Sequence, residues 1–127
     1  MLLDTHALLW WLSDDESLPQ SVRKLIARPN NKVMISAASA WEIATKVRLG
    51  KLPVAADLAA DFSGYLAREH FEGLPVSMEH AVRAGLLPGP HKDPFDRIIV
   101  AHAKANGTAL LLTKDEVIRA HYPNARW

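Results

Sequence analysis

The apolar residues of the chain fall in short blocks separated by helical stretches. Leu2-Leu3 is a brief apolar run that meets an acid at Asp4, the pattern of a short strand. Thr5 to Leu12 is apolar and aromatic and predicts a first helix. Residues 17–28 carry Leu18, Val22, Leu25 and Ile26 at helical spacing, and Pro29-Asn30-Asn31 closes them. Val33-Met34-Ile35 predicts a second strand within residues 32–36. A helix follows over 36–49, with Ala37, Trp41, Ala44 and Leu49 roughly on one stripe and Gly50 as its stop. Residues 54–68 read as one helix through Leu58, Phe62, Tyr65 and Leu66. Residues 73–77 read as a strand and 78–87 as a helix, after which Pro88-Gly89-Pro90 forces a loop.

The clearest helix spans 94–106. Asp93 stands at its N-cap position, Pro94 at its first turn, where a missing N–H is harmless, and Gly107 at its stop. Residues 109–112 predict a buried strand ending in Thr113, residues 115–120 a last short helix, and 125–127 an edge strand. Strands and helices thus alternate, and the strands are apolar throughout instead of alternating with polar residues. That is the signature of an α/β fold, a parallel sheet covered by helices on both faces. Such sheets bind ligands outside the carboxyl ends of their strands.

Composition narrows the chemistry. The 127 residues suit one domain, 1–127, and contain no cysteine, so thiolate metal sites, disulfides and cysteine nucleophiles are all excluded. Fifteen Lys and Arg against fourteen Asp and Glu leave a net charge of +1. A polyanionic partner would therefore have to be met by local bases or bound cations. No apolar run has the length needed to span a bilayer, and the N-terminus lacks the basic region of a signal peptide. The expectation is a cytoplasmic protein with no membrane association.

The strand ends make the acids informative. Asp4 ends the first strand, Asp115 follows the strand at 109–112, and Asp93 and Asp96 open the helix that feeds it. Glu42 lies on the second turn of the helix after the second strand. Carboxylates gathered at one sheet edge repel, and a hard divalent cation such as Mg²⁺ or Mn²⁺ relieves the repulsion. Each acid also has a plainer role. Asp4, Asp93 and Asp115 can cap helices, Asp96 can complete a capping box, and Glu42 with Lys46 makes an ordinary i,i+4 pair. Glu42, however, stands between Trp41 and Ile43 in an apolar stretch. The argument rests on four regions of the chain converging.

These segments resemble a PIN domain, and within that group the VapC-type toxin ribonucleases of toxin–antitoxin pairs. The opening Leu2-Leu3-Asp4-Thr5-His6-Ala7-Leu8-Leu9-Trp10 is similar to the family's first strand and acid, and Ile35-Ser36 with Trp41-Glu42-Ile43 to its second strand and Glu. His91-Lys92-Asp93-Pro94-Phe95-Asp96-Arg97-Ile98-Ile99-Val100-Ala101-His102-Ala103 carries the most specific likeness, and Leu111-Leu112-Thr113-Lys114-Asp115 resembles the closing strand and fourth acid. The resemblance implies a sheet of order 3-2-1-4-5 and a metal-dependent endoribonuclease. Asp4, Glu42 and Asp96 would be its main metal and catalytic acids and Asp115 the fourth. Asp93 would join the site, orient water or only cap its helix. Lys114 stands where relatives often have Asn or Ala. The resemblance also implies an RNA substrate, a VapB-type antitoxin and a homodimer.

Among the bases, Lys46, Arg97 and Lys114 are the candidates for contacting RNA phosphates, with Arg48 and Lys51 nearby; a solvated helix face explains each of them as well. His6, His91 and His102 lie close to the acids in sequence, with packing roles as the plainer reading. Two other classes remain in view. One is a PIN-like interaction module without catalysis. The other is an aspartyl-phosphate phosphotransfer domain, although His6 and Thr5 stand where such domains carry further acids.

Overall fold

The computed structural model describes residues 1–107 and 109–127. Five parallel strands form one sheet in the order β3-β2-β1-β4-β5: β1 (Leu2–Leu3), β2 (Met34–Ser36), β3 (Glu72–Leu74), β4 (Leu111–Leu112) and β5 (Ala125–Arg126). The α/β class and the strand order expected above are both present. Among the described residues, eight α-helices connect and cover the strands: α1 (Thr5–Leu12), α2 (Gln20–Ala27), α3 (Ala37–Arg48), α4 (Ala56–Ala60), α5 (Phe62–Arg68), α6 (Met78–Leu86), α7 (Pro94–Ala105) and α8 (Glu116–His121).

The three central strands, β1, β2 and β4, are short and buried along their whole length. Side chains alternate between the faces with the strand period of two. Leu3, Ile35 and Leu112 meet Ala7, Leu8, Val22, Ile26 and Ile43 on one side. Leu2, Met34 and Leu111 meet Ile99, Ala103, Ile118 and Tyr122 on the other. The register pairs Leu2 with Leu111 and Leu3 with Leu112, and Leu3 also with Ile35. The next residues along, Asp4, Thr113 and Ser36, therefore emerge together at the carboxyl edge of the central strands.

The helix ends follow local chemistry. Gly50, at φ +72°, ends α3 with its own N–H donated to Val47 O and that of Lys51 to Lys46 O, a Schellman closure that a left-handed glycine permits. Three expected boundaries shift. The helix expected over 17–28 begins at Gln20, because Leu18 precedes Pro19 and is steered away from helical dihedrals. The single helix expected over 54–68 is a 3₁₀ turn (Pro53–Ala55) followed by α4 and α5. Asp61 adopts φ −143°, ψ 56° between them and accepts the Gly64 N–H as the cap of α5. The strand expected over 73–77 pairs only through Leu74, since Pro75 offers no N–H to the ladder. Among the described residues, no helix is long and apolar enough to cross a membrane.

Candidate active site

The carboxyl edge of the sheet opens into a cleft of about 530 Å³ that gathers Asp4, Glu42, Asp93, Asp96 and Asp115, with Lys46 and Lys114 on its wall. Each acid arrives on a different piece of local structure. Asp4 leaves β1 as the N-cap of α1, its Oδ1 accepting the Ala7 N–H at 2.8 Å, while Oδ2 accepts the hydroxyl of Thr113 from the end of β4. It is 5% exposed, and burial raises its carboxyl above the usual carboxylate range; the Thr113 hydroxyl and Ala7 N–H oppose that rise.

Glu42 reaches the cleft from the second turn of α3 and is 4% exposed. Its Oε2 takes the Lys46 ammonium at 2.6 Å, and its Oε1 is buried with no hydrogen-bond partner among the described residues. Asp93 caps α7, accepting the N–H groups of Phe95 at 2.8 Å and Asp96 at 3.3 Å. Asp115 caps α8 through Ile118 N at 2.9 Å, and its own N–H donates to Thr113 Oγ1 at 3.0 Å. The capping roles foreseen for Asp4, Asp93 and Asp115 are thus all in use, alongside their place in the cleft.

Asp96 lies where these charges meet. Its carboxyl is pushed up to about 7, first by burial and then by the charges of Asp93, Glu42, Asp115 and Asp4. The other four acids of the cleft therefore all bear on Asp96 electrostatically. A buried oxygen without a donor at Glu42 and a carboxylate held near neutrality at Asp96 are each costly in water's absence. An all-carboxylate donor set of this kind suits a hard divalent cation, which would complete the orphaned oxygen and relieve the repulsion.

Of the bases expected to meet substrate, Lys46 and Lys114 line the cleft, with the Lys114 ammonium 5.8 Å from the Trp10 ring centroid. Arg97 does not. Its guanidinium donates to the carbonyls of Ala84 at 2.9 Å, His91 at 2.7 Å, Gly85 at 3.2 Å and Leu87, fastening the end of α6 and the loop before α7. The planar fork matches a cluster of carbonyls, which take four of its five N–H donors.

The role of Thr113 escaped the sequence reading, and His91, placed there close to the acids with packing as its plainer role, faces two of them. Thr113 supplies the hydroxyl on Asp4; its position as the first polar residue after an apolar strand was the available signal. His91 sets Nε2 at 3.2 Å from Asp96 Oδ2 and 3.6 Å from Asp115 Oδ2. His102, by contrast, is buried away from the cleft, its Nδ1 2.9 Å from Ser36 Oγ, and burial lowers its basicity. Trp10 packs against Trp127 and His6, Trp11 donates to Glu69 at 3.0 Å, and the exposed tryptophan is Trp41 on α3.

Parallel order 3-2-1-4-5 with a carboxylate cluster at the carboxyl edge defines the class: an α/β domain built around an acidic cleft. The PIN domain family profile matches residues 1–122, and the chain belongs to that family. It is 29% identical over 122 residues to Ribonuclease VapC22 of Mycobacterium tuberculosis, covering 95% of this chain and 91% of that one. Its fold is similar to that in the crystal structure of VapBC2 from Rickettsia felis bound to a DNA fragment from their promoter (TM-score 0.68, 22% identity, 98% of this chain and 93% of that chain). It is likewise similar to a toxin–antitoxin complex from Klebsiella pneumoniae (TM-score 0.63, 19% identity, 99% and 95%).

Proposed function

We propose that this chain is a Mg²⁺- or Mn²⁺-dependent endoribonuclease, the toxin of a toxin–antitoxin pair. The observation that carries the reading is the meeting of four carboxylates around that of Asp96, with a buried Glu42 oxygen left without a partner among the described residues. Asp4, Glu42 and Asp96 are the main ligands for the ion, Asp115 is the fourth acid, and Asp93 stands beside them. When bound, the cation supplies Lewis-acid activation of water and charge neutralisation at a scissile phosphodiester.

The chain's own residues prepare that chemistry. The Thr113 hydroxyl and the Ala7 N–H oppose the rise that burial imposes on the Asp4 carboxyl. Lys46 and Lys114 present cations on the wall of the cleft, where RNA phosphates would lie; such contacts add affinity without sequence preference. No side chain is asked to become a covalent nucleophile. The likeness to a ribonuclease supports RNA as substrate, and the likeness to toxin–antitoxin complexes supports a VapB-type antitoxin as partner; in this reading the chain is a single domain, residues 1–127, that acts as a homodimer in the cytoplasm.

An aspartyl-phosphate domain fits less well: it needs one exposed nucleophilic Asp, whereas Asp4 is 5% exposed and both its oxygens accept hydrogen bonds. An interaction module has no use for a buried, unpartnered carboxylate oxygen. The test is cleavage of total RNA in Mn²⁺ by the wild type and by Asp4→Asn, with end mapping of the products. Cutting that stops on chelation, and in Asp4→Asn with folding retained, is expected. Cutting that persists in EDTA or in folded Asp4→Asn defeats the reading.

A further inference from the structure

A second groove adjoins the acidic cleft. It has a volume of about 590 Å³ and lies between α1, the end of α3 and the 3₁₀ turn that leads into α4. Thr5, His6, Trp10 and Lys46 line both the groove and the cleft, so the two are continuous. RNA held with a phosphate at the acids has a flanking nucleotide within reach of this groove.

The junction carries what a nucleotide needs. Trp10 is partly exposed there, with the Lys114 ammonium 5.8 Å from its ring centroid. Its other ring neighbours, His6 and Trp127, have centroids 5.5 Å away and are tilted by 42° and 57°. Neither is parallel to the indole, so neither takes the offset-stacked place that a base would take. An aromatic surface is thus fixed beside Lys46 and Lys114, the two cations assigned above to phosphates. Aromatic face and cation together are how single-stranded nucleic acid is held.

Beyond Trp10 the groove wall is apolar, through Leu9, Leu52 and Val54, and Val54 is 88% exposed. The groove's charges balance, Lys46 and Lys51 against Asp15 and Asp57. A second phosphate gains little in such surroundings, whereas a base is apolar on its faces and polar at its edges. The volume falls in the range of small-ligand sites, roughly 300–1,000 Å³. A polypeptide segment would use the apolar wall alone; a nucleotide uses the wall and the lysines at the junction together.

We propose that Trp10 stacks the unpaired base of one nucleotide flanking the scissile phosphate, seated in this groove, and thereby helps to select which phosphate is cut. This rests on the nuclease reading above. Stacking accepts every base, so the sequence preference it confers is modest and follows stacking strength.

The test uses the full chain carrying Asp4→Asn and an RNA oligonucleotide spanning a cut site mapped in total RNA. Affinity is read by anisotropy for the intact oligonucleotide and for a series in which one nucleotide at a time lacks its base. Base removal at one position beside the scissile phosphate should cost about tenfold in affinity, the share of one stacked base. Adding Trp10→Leu should cost about tenfold on intact RNA and make base removal at that position neutral, while Trp10→Phe keeps the position dependence. A purely structural Trp10 would weaken all positions alike. Ultraviolet crosslinking of 5-iodouridine at that position needs no change at Trp10 and should mark the α1 peptide that contains it. Equal sensitivity at every position, a folded Trp10→Leu chain that keeps the position dependence, or a crosslink on another element would each overturn the proposal and leave the groove to a polypeptide segment, with Mn²⁺-dependent cutting intact. A wild-type chain that cuts no RNA in Mn²⁺ overturns both.

Discussion

The hydroxyl of Thr113 donates to Asp4 Oδ2 across a separation of 109 residues, joining the ends of β1 and β4. It is the polar continuation of the Leu2–Leu111 and Leu3–Leu112 register. The bond offsets part of the burial that raises the Asp4 carboxyl. Thr113→Val preserves shape and removes the donor. The expected cost is about 1–3 kcal/mol in urea unfolding, that of leaving a buried acceptor short of a partner, with weaker Mn²⁺ binding. Thr113→Ser should restore both.

Asp96 sets the pH dependence. Its carboxyl titrates near 3.8 when free of the fold and at about 7 in the cleft. The folded chain therefore binds this proton more tightly than the unfolded chain. Stability is greatest below the unfolded value and is lost as pH rises through the folded one. Asp96→Asn, unfolded by urea in EDTA, should exceed the wild type by roughly 1–2 kcal/mol at pH 8, a figure discounted from about 1.36 per pH unit because the group is partly open to solvent. The difference should close towards pH 4. Mn²⁺ at pH 8 should then stabilise the wild type more than Asp96→Asn, with its affinity falling as pH drops below 7. RNA cleavage should be lost in the variant.

Much of this site was readable in one dimension. Apolar strand pairs, an Asp-Pro helix start and acids just past strand ends are local signals, and local physics places them. What was hidden depends on distant partners. Thr113 finds Asp4 only once the β1–β4 register is known. His91 lies in an aperiodic loop, so nothing in its spacing aims its ring at Asp96 and Asp115. The break at Asp61 was masked because Leu58, Phe62, Tyr65 and Leu66 keep a helical rhythm across it, while the Asp side chain caps the second piece.

Lys46 and Lys114 should behave as phosphate contacts. In an Asp4→Asn background that does not cut, single-stranded RNA binding is followed by anisotropy at several salt concentrations. Lys46→Gln and Lys114→Gln should each weaken binding and lower the slope of log affinity against log salt by about 0.7, the share of one single-strand phosphate contact. An unchanged slope would assign Lys46 to its pairing with Glu42 at 2.6 Å and Lys114 to Trp10 alone.

Arg97 separates a structural cation from a substrate-binding one. Its donors end on the carbonyls of Ala84, Gly85, Leu87 and His91, so a phosphate would have to displace bonds that close the α6–α7 connection. Arg97→Met removes the fork and strands those acceptors, for an expected loss of about 2–4 kcal/mol in urea unfolding. Arg97→Lys should recover little, since a single ammonium cannot serve carbonyls spread around a planar fork. The salt slope of RNA binding, measured in the same Asp4→Asn background at a temperature where Arg97→Met is folded, should match that of the parent. A fall in slope without a loss of stability would return Arg97 to the RNA surface.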